Sequence, residues 1–503
     1  MTENFYGKKV VPAKELSNLE KKAFKENVDE EQLMLKAGKA VALSAKEIIQ
    51  KKKQKKIIVL AGKGNNAADG FVASIELQKM GFCVEAFYVF PKEKCSFLCQ
   101  KYMQLFKDEG GKLFLIREKE EIKIEKDDIL IDGLLGTGFH GDITGIFYEI
   151  IKKVNETKCF TLAIDIPSGL EGNTGKVNTI AIKANTTLTF SISKLGFYIN
   201  DGPNYSGKVK IVDIGLPQKY LDEVNTNFFL LDEKKIKNFL PAIEKKRHKY
   251  QAGAVLGIAG SEGMTGAACL ASLASLRSGA GIVWLFSTNI IEKAPYEVIT
   301  YRLDGNIKKL FQHLEKTKAV FLGPGIGRTN DTQTLLKELF QKIKIPCVID
   351  ADALFFLANN KDVSIPSSSI LTPHKKEMTR LLGKEDINEI DLLDKCQKYA
   401  NDNNAILVLK GAPTFVFHPK KNVIIIDRGD PALATAGTGD VLTGVMAAFL
   451  AQKLEPYVAA LLGVFIHGIA GEIAAVKKTS FSVIASDIIE NLSEAFKQVF
   501  NKY

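Results

Sequence analysis

The run ATAGTGDVLTG, Ala434 to Gly444, sets glycines and one carboxylate where a loop should turn into a helix. Gly437 and Gly439 let backbone N–H groups approach an anion closely. The helix expected from about Val441 adds the positive end of its dipole. Asp440 beside such a cradle cannot bind phosphate, because like charges repel. It can take the proton of a hydroxyl that attacks phosphorus. Anion cradle and adjacent base together are what phosphoryl transfer to an alcohol needs. A plain helix start with Asp near its cap has the same local sequence, so the rest of the chain has to discriminate.

The first half offers a different constellation. AGKGNNAADG, Ala61 to Gly70, follows an apolar run and precedes a helix expected from about Gly70. Gly62 and Gly64 permit a tight turn, Asn65 and Asn66 both donate and accept, and Asp69 lies near the helix start. DGLLGTGFHGD, Asp132 to Asp142, and DIPSG, Asp165 to Gly169, repeat the arrangement after two further strands. One such loop is an ordinary polar cap; three at one sheet edge are hard to explain by packing. Asn66, Asp132 and Ser168 supply hard oxygens suited to a cation. Asp165 is placed to act as a general acid or base.

These loops require a scaffold. Apolar spacing predicts a helix over Glu30 to Gln50, and strands over 57–62, 83–90, 129–131, 160–164, 186–191 and 208–211, alternating with helices. That rhythm implies a parallel sheet covered on both faces, whose ligands bind at the carboxyl ends of the strands. A polar stretch from Pro217 to Leu240 marks a boundary, giving domains 1–224 and 225–503. The second half restarts with strands at 254–259, 319–322, 347–349, 369–371 and 406–409, followed by a Gly-rich turn, GPGIG, DADAL, TPH and KGAPT. The expected class is α/β in both domains. Asp350 and Asp352 in DADAL either bind a metal through water or cap the next helix. His374 reads singly as a structural histidine, but its place after a strand in TPHKKE favours a ligand contact. Glu377 faces its side of a helix or is a surface residue.

GNN, DGLLGTG and DIPSG together resemble the NAD(P)HX epimerase domain, also called the YjeF N-terminal domain. The resemblance implies a Rossmann-like doubly wound sheet that interconverts R and S hydrates of NADH and NADPH and binds potassium. It assigns hydrate contacts to Asn65, Asn66, Ala67, Ala68 and Asp69, and to Gly136, Thr137, Gly138, Phe139, His140, Gly141 and Asp142. It assigns potassium to Asn66, Asp132 and Ser168, and catalysis to Asp165, with Lys194 nearby. The family usually has GNNGGDG; Ala67 and Ala68 here lose the freedom of positive φ, so the loop must use ordinary angles or carry strain.

From about Lys249, GSEGMTGAACLASLASLRSGAG, GPGIG, LTPHKKE, LKGAPT and ATAGTGDVLTG occur in the order of the YjeF C-terminal domain, a ribokinase-like α/β/α NAD(P)HX dehydratase. The resemblance implies that ADP or ATP phosphorylates the hydroxyl of the S hydrate and that phosphate then leaves, restoring NAD(P)H. Asp440 would be the base. Ala267, Gly327, His374 and Asp440 would contact the hydrate. Lys410, Gly411, Ala412, Pro413, Thr414, Thr438 and Gly439 would contact the nucleotide, with Mg2+ as its companion. ADP is expected over ATP by analogy with fused chains. Here the usual GNPGMATAG is GDPALATAG, so Asp430 and Ala432 alter that surround. The competing reading is a small-alcohol kinase fused to a binding module that has lost catalysis.

Composition narrows the remaining classes. With 503 residues, 46% hydrophobic and 25% charged, the chain is an ordinary globular protein of more than one domain. Its seven cysteines form no metal or disulfide pattern, which points to reduced thiols and a cytoplasmic setting. A net charge of +10 is modest, and KKKQKK at 51–56 lacks interleaved aromatics, so anionic small molecules fit better than nucleic acid. No signal peptide or membrane span is expected. A homo-oligomer is expected, although no motif encodes one.

Overall fold

The computed structural model describes residues 6–52, 56–303 and 307–500. The middle of the basic run at 51–56, residues 53–55, lies outside the described residues. The chain forms two compact units, one of Lys8–Thr226 and the other from Asn227, which also includes Tyr6 and Gly7.

In the first unit seven parallel strands lie in the order Lys112–Leu115, Val84–Tyr88, Ile57–Ala61, Ile129–Gly133, Phe160–Ile164, Thr186–Phe190 and Lys208–Val212. Alternate residues of the central strands feed two cores. Ile57, Val59, Ile129 and Ile131 face the helices Ala13–Lys25, Glu30–Lys52, Asn65–Lys79 and Phe97–Asp108. Ile58, Leu60 and Leu130 face Gly145–Thr157. Both faces are therefore covered, which is why these strands read as nearly continuous apolar runs. Strand order reverses between Ile57–Ala61 and Ile129–Gly133, so their following loops diverge and open a crevice.

The second unit repeats the arrangement on a larger sheet. Its strands run Ile299–Arg302, Ile282–Ser287, Ala254–Ile258, Ala319–Leu322, Cys347–Ile349, Ser369–Leu371, Ile406–Leu409, Thr414–His418, Lys421–Ile426 and Phe228–Leu231. Only Thr414–His418 opposes its neighbours. Helices Thr265–Arg277 and Thr438–Ala451 pack so tightly that a Cβ on Gly444 would meet the Ala271 carbonyl. Ser275 Oγ donates to the Gly444 carbonyl across the same crossing at 2.9 Å. Helix Pro456–Lys477 has the length and apolarity of a membrane span, but most of it is buried inside the unit.

Two helices begin earlier than the sequence predicts. Asn65–Lys79 starts five residues before Gly70, and Thr438–Ala451 starts before Val441. Ala67 and Ala68 thus occupy the first turn of a helix and are buried. Neither has a positive φ, so the departure from GNNGGDG carries no backbone strain. Alanine there is favourable, since Gly costs about 1 kcal/mol in a helix. Ala67→Gly and Ala68→Gly are each expected to lower stability by up to about 1 kcal/mol, measured by denaturant unfolding; a gain in stability would contradict this placement. Gly62 is required for a different reason: a Cβ would strike the Leu134 carbonyl. Gly64 has open space and a negative φ, so no such constraint applies there.

Candidate active sites

The first unit's crevice holds a cavity of about 610 Å3 lined by Asn65, Asn66, Ala67, Gly136, Thr137 and Phe139, among others. Gly138 and Asp142 also line it. Ala68, Asp69, His140, Gly141 and Asp165 stand outside this lining; His140 and Gly141 are exposed, whereas Ala68 and Asp69 are buried. Asn66 ties two loops together. Its Nδ2 donates to the Leu135 carbonyl at 3.2 Å and the Ile164 carbonyl at 2.8 Å.

Asp132 is fully buried. It accepts from Ser168 Oγ at 2.6 Å, from the Ser168 backbone N–H at 2.8 Å and from the Leu134 N–H at 3.2 Å. Ser168 Oγ in turn accepts from the Leu135 N–H at 2.9 Å. Burial lifts the Asp132 carboxyl to about 6, although its hydrogen bonds oppose the shift. A carboxylate so enclosed, beside a hydroxyl and the Leu135 and Ile164 carbonyls, suits a hard cation. Asn66 offers its nitrogen to those carbonyls here, so ligation through its oxygen requires the amide to turn.

Asp165 follows the Phe160–Ile164 strand with φ +60, a conformation that strains a non-glycine residue. Its Oδ1 accepts from Lys194 Nζ at 2.6 Å, and more distantly from Thr189 Oγ1 and the Phe190 N–H, both at 3.3 Å. Lys194 is wholly buried and also donates to Thr189 Oγ1 at 2.7 Å. Glu20, from helix Ala13–Lys25, joins this group; burial, with Asp165 adding to it, lifts its carboxyl to about 7. Sequence reading missed Glu20. Its signal was a carboxylate on the stripe of Ala13, Leu16 and Ala23.

In the second unit Gly437 takes φ +90 at the N-cap of Thr438–Ala451, a role that suits glycine. Asp440 lies in the first turn. Burial and the neighbouring Asp350 push its carboxyl up to about 7, with Lys410 pulling the other way and Asp352 and Glu377 adding to the rise. Lys410 Nζ sits 2.8 Å from Asp350 Oδ1 and 3.9 Å from Glu377. Burial lowers its proton affinity, but Asp350, Glu377 and Asp440 together raise the ammonium above the ordinary lysine range. Gly439 leaves Lys410 close to the helix N-terminus, because a Cβ there would lie 3.4 Å from Nζ. Thr438 Oγ1 donates to the Leu433 carbonyl at 2.7 Å, leaving its backbone at the helix start.

Neither DADAL carboxylate caps the helix that follows. Asp350 makes no cap bond; it takes Lys410 on one oxygen and Thr443 Oγ1, at 2.8 Å, on the other. Asp352 accepts the Gly327 N–H at 3.0 Å and Arg328 Nε at 2.7 Å, so it shapes the GPGIG loop. Ala351 between them has φ +49, strain that turns the two carboxylates to different partners. His374 is a cap: its Nδ1 accepts from the Lys376 and Glu377 N–H groups at 3.1 and 3.3 Å, and Glu377 accepts from the His374 N–H at 2.8 Å. The proton of the neutral ring is then on Nε2. The capping Glu377 also faces Lys410 at 3.9 Å.

Of the remaining predicted residues, Gly411 and Ala412 are exposed in the turn after Lys410, while Pro413 and Thr414 are buried. Gly327 lines a cavity of about 760 Å3 with Ser261, Asn289 and Arg302; Ala267, His374 and Asp440 do not line it. Ala267 stands beside Gly325 of the GPGIG loop instead. His467 was overlooked. It is a buried imidazole in an apolar helix, held neutral by a pKa pushed down to about 4 by burial, and its Nε2 donates to the Thr438 carbonyl at 3.0 Å. It braces the turn that carries Asp440. Among the described residues no group of three His, Cys, Asp or Glu forms a ready metal cage.

A family model described as NAD(P)H-hydrate dehydratase matches residues 255–494, and one described as YjeF-related protein N-terminus matches residues 30–196. A bifunctional NAD(P)H-hydrate repair enzyme, Nnr, of Moorella thermoacetica is 35% identical over 482 residues, covering 92% of this chain and 91% of that protein. The one of Coxiella burnetii is 30% identical over 487 residues, covering 95% and 97%. A solved ADP/ATP-dependent NAD(P)H-hydrate dehydratase from Bacillus subtilis, co-crystallized with ATP/Mg2+, is 26% identical. It covers 54% of this chain and 98% of that chain, with a TM-score of 0.46.

Proposed function

The chain belongs to the family of bifunctional NAD(P)H-hydrate repair enzymes, and from that premise we propose which residues carry each of its two activities. The unit from Asn227 performs dehydration. Asp440 takes the proton of the hydrate's hydroxyl as that oxygen attacks the terminal phosphorus of ADP or ATP. Lys410 and the N–H groups of Thr438 and Gly439 steady the transferring group. Phosphate then leaves far more readily than hydroxide, and the dihydronicotinamide ring is restored. The observation that carries this reading is Asp440 in the first turn of a helix entered through left-handed Gly437, with Lys410 alongside.

Asp350, Glu377 and Asp440 surround the largely buried Lys410 ammonium, while Asp352 is paired with Arg328. That surplus of negative charge fits Mg2+ carried in with the nucleotide and held through water by Asp350 and Glu377. Mg2+ would neutralise phosphate charge.

The first unit performs epimerisation. The ring nitrogen's lone pair expels the hydroxyl as water once it is protonated, and water adds to the other face and returns the proton. Asp165 is the acid and base of this exchange, paired with Lys194. The substrate lies in the crevice over Asn65, Ala67 and Gly136 to Asp142. Asp132, Ser168 and Asn66 would hold K+, whose charge would offset the buried carboxylate. Because a ligand of the folded state raises its stability, KCl is expected to raise the melting temperature of the Ser168→Ala variant less than that of the unaltered protein. LiCl at equal ionic strength serves as the reference. Equal responses to both salts would exclude K+ from this site.

The test of the assignment is product accounting. Repair predicts one inorganic phosphate for each reduced nicotinamide formed. A small-alcohol kinase predicts a stable phosphoester and no free phosphate, and that outcome would overturn the reading.

A further inference from the structure

The short loop between strand Ile57–Ala61 and helix Asn65–Lys79 carries one lysine, Lys63. That loop is pinned from two sides. Gly62 lies so close to the Leu134 carbonyl that a Cβ would strike it. The Ser96 N–H, at the start of helix Phe97–Asp108, donates to the Lys63 carbonyl at 2.8 Å. With its backbone held there, Lys63 places its ammonium over the Phe90 ring, 5.1 Å from the centroid. Phe90 packs in turn on Phe147, with ring centroids 5.6 Å apart. The ring face attracts the ammonium and so restricts where it points. Lys63, Phe90 and Phe147 all line the crevice cavity of about 610 Å3.

Among the residues lining that cavity, Lys63 is the one cation and Asp142 the one carboxylate. Asp142 accepts from Thr179 Oγ1 at 3.1 Å. Lys63 makes no ion pair and no side-chain hydrogen bond among the described residues, so all three of its donors are open. The helix beside it starts at Gly64 without a side-chain cap, which leaves its first N–H groups for a ligand. A Cβ on Gly64 would meet nothing within 4 Å, so a bulky anion has room to approach. The hydrate of NADH bears its negative charge on the pyrophosphate. We propose that Lys63 is the residue by which the epimerisation crevice recognises that pyrophosphate, the ammonium over Phe90 on one side and the open start of helix Asn65–Lys79 on the other. The proposal rests on the reading of this crevice as the epimerisation site.

The pyrophosphate takes no part in the bond changes at the ring. Its contact with Lys63 is therefore felt equally by bound substrate and transition state, and shows in KM rather than in kcat. The test is R-hydrate epimerisation by the full chain without nucleotide, which keeps dehydration silent. ADP-ribose, which has the pyrophosphate and lacks the nicotinamide, serves as the competing probe. Lys63→Met should raise both the KM and the ADP-ribose inhibition constant about tenfold, the range of a hydrogen bond to a charged group. Its kcat should stay within about twofold, and Lys63→Arg should recover most of the affinity. An unchanged KM in Lys63→Met would overturn the proposal. So would a raised KM with an unchanged inhibition constant, which would move the contact to the nicotinamide end, or a failure of ADP-ribose to inhibit the unaltered protein. If Lys63→Met is unstable, Lys63→Gln takes its place with the same expected rises. Full epimerisation by Asp165→Asn would instead sink the underlying reading.

Discussion

Replacing Asp440 by Asn should lower the dehydration kcat by about 10³-fold, the range of a positioned general base, and leave epimerisation unchanged. Asn preserves the size of the side chain in the first turn of Thr438–Ala451. It removes only the capacity to accept the hydroxyl proton. The same residue sets a pH dependence. Burial and Asp350 raise its carboxyl to about 7, and a base works only when ionised, so kcat/KM should rise with pH through neutrality. Steady-state rates of the unaltered protein and Asp440→Asn across that range check both points. A loss below tenfold, or a rate that falls as pH climbs through 7, would exclude Asp440 as the base.

The second large effect is expected at Asp165. Asp165→Asn should lower epimerisation by about 10²–10³-fold and also cost stability, because it strands the fully buried Lys194 ammonium without a counter-charge. Breaking a buried pair on one side costs about 3–5 kcal/mol; the slight exposure of Asp165 argues for the lower end. Adding Lys194→Met to Asp165→Asn should recover much of that stability and none of the activity. Denaturant unfolding and R-hydrate turnover of the single and double variants separate the two roles. Recovery of turnover in the double variant would mean that Asp165 serves the fold and not the reaction.

Much of the scaffold was legible because its signals are local. The strands at 319–322, 347–349, 369–371 and 406–409 are short, largely apolar runs, and each appears where it was expected. Helix starts were less legible. GNNAADG and GTGD look like loops because they are rich in glycine and polar residues, yet both supply the first turn of a helix. The loops that follow strands announced Asp165, Asp440, Asp132 and Ser168. What sequence could not supply is the tertiary company of these groups. The Asp165 charge bears on Glu20 across a long stretch of chain, and His467 reaches Thr438 across 29 positions of chain. The partition of Asp350 to Lys410 and of Asp352 to Gly327 depends on the left-handed turn at Ala351, which no residue type at that position advertises.

The most direct test follows the near-ultraviolet absorbance of reduced nicotinamide after ADP or ATP is added to a mixture of R and S hydrates. The unaltered protein should convert both epimers, Asp165→Asn should stop after the S fraction apart from slow uncatalysed exchange, and Asp440→Asn should convert almost nothing. Recovery of the reduced ring without any nucleotide, or in full by Asp440→Asn, would contradict the account.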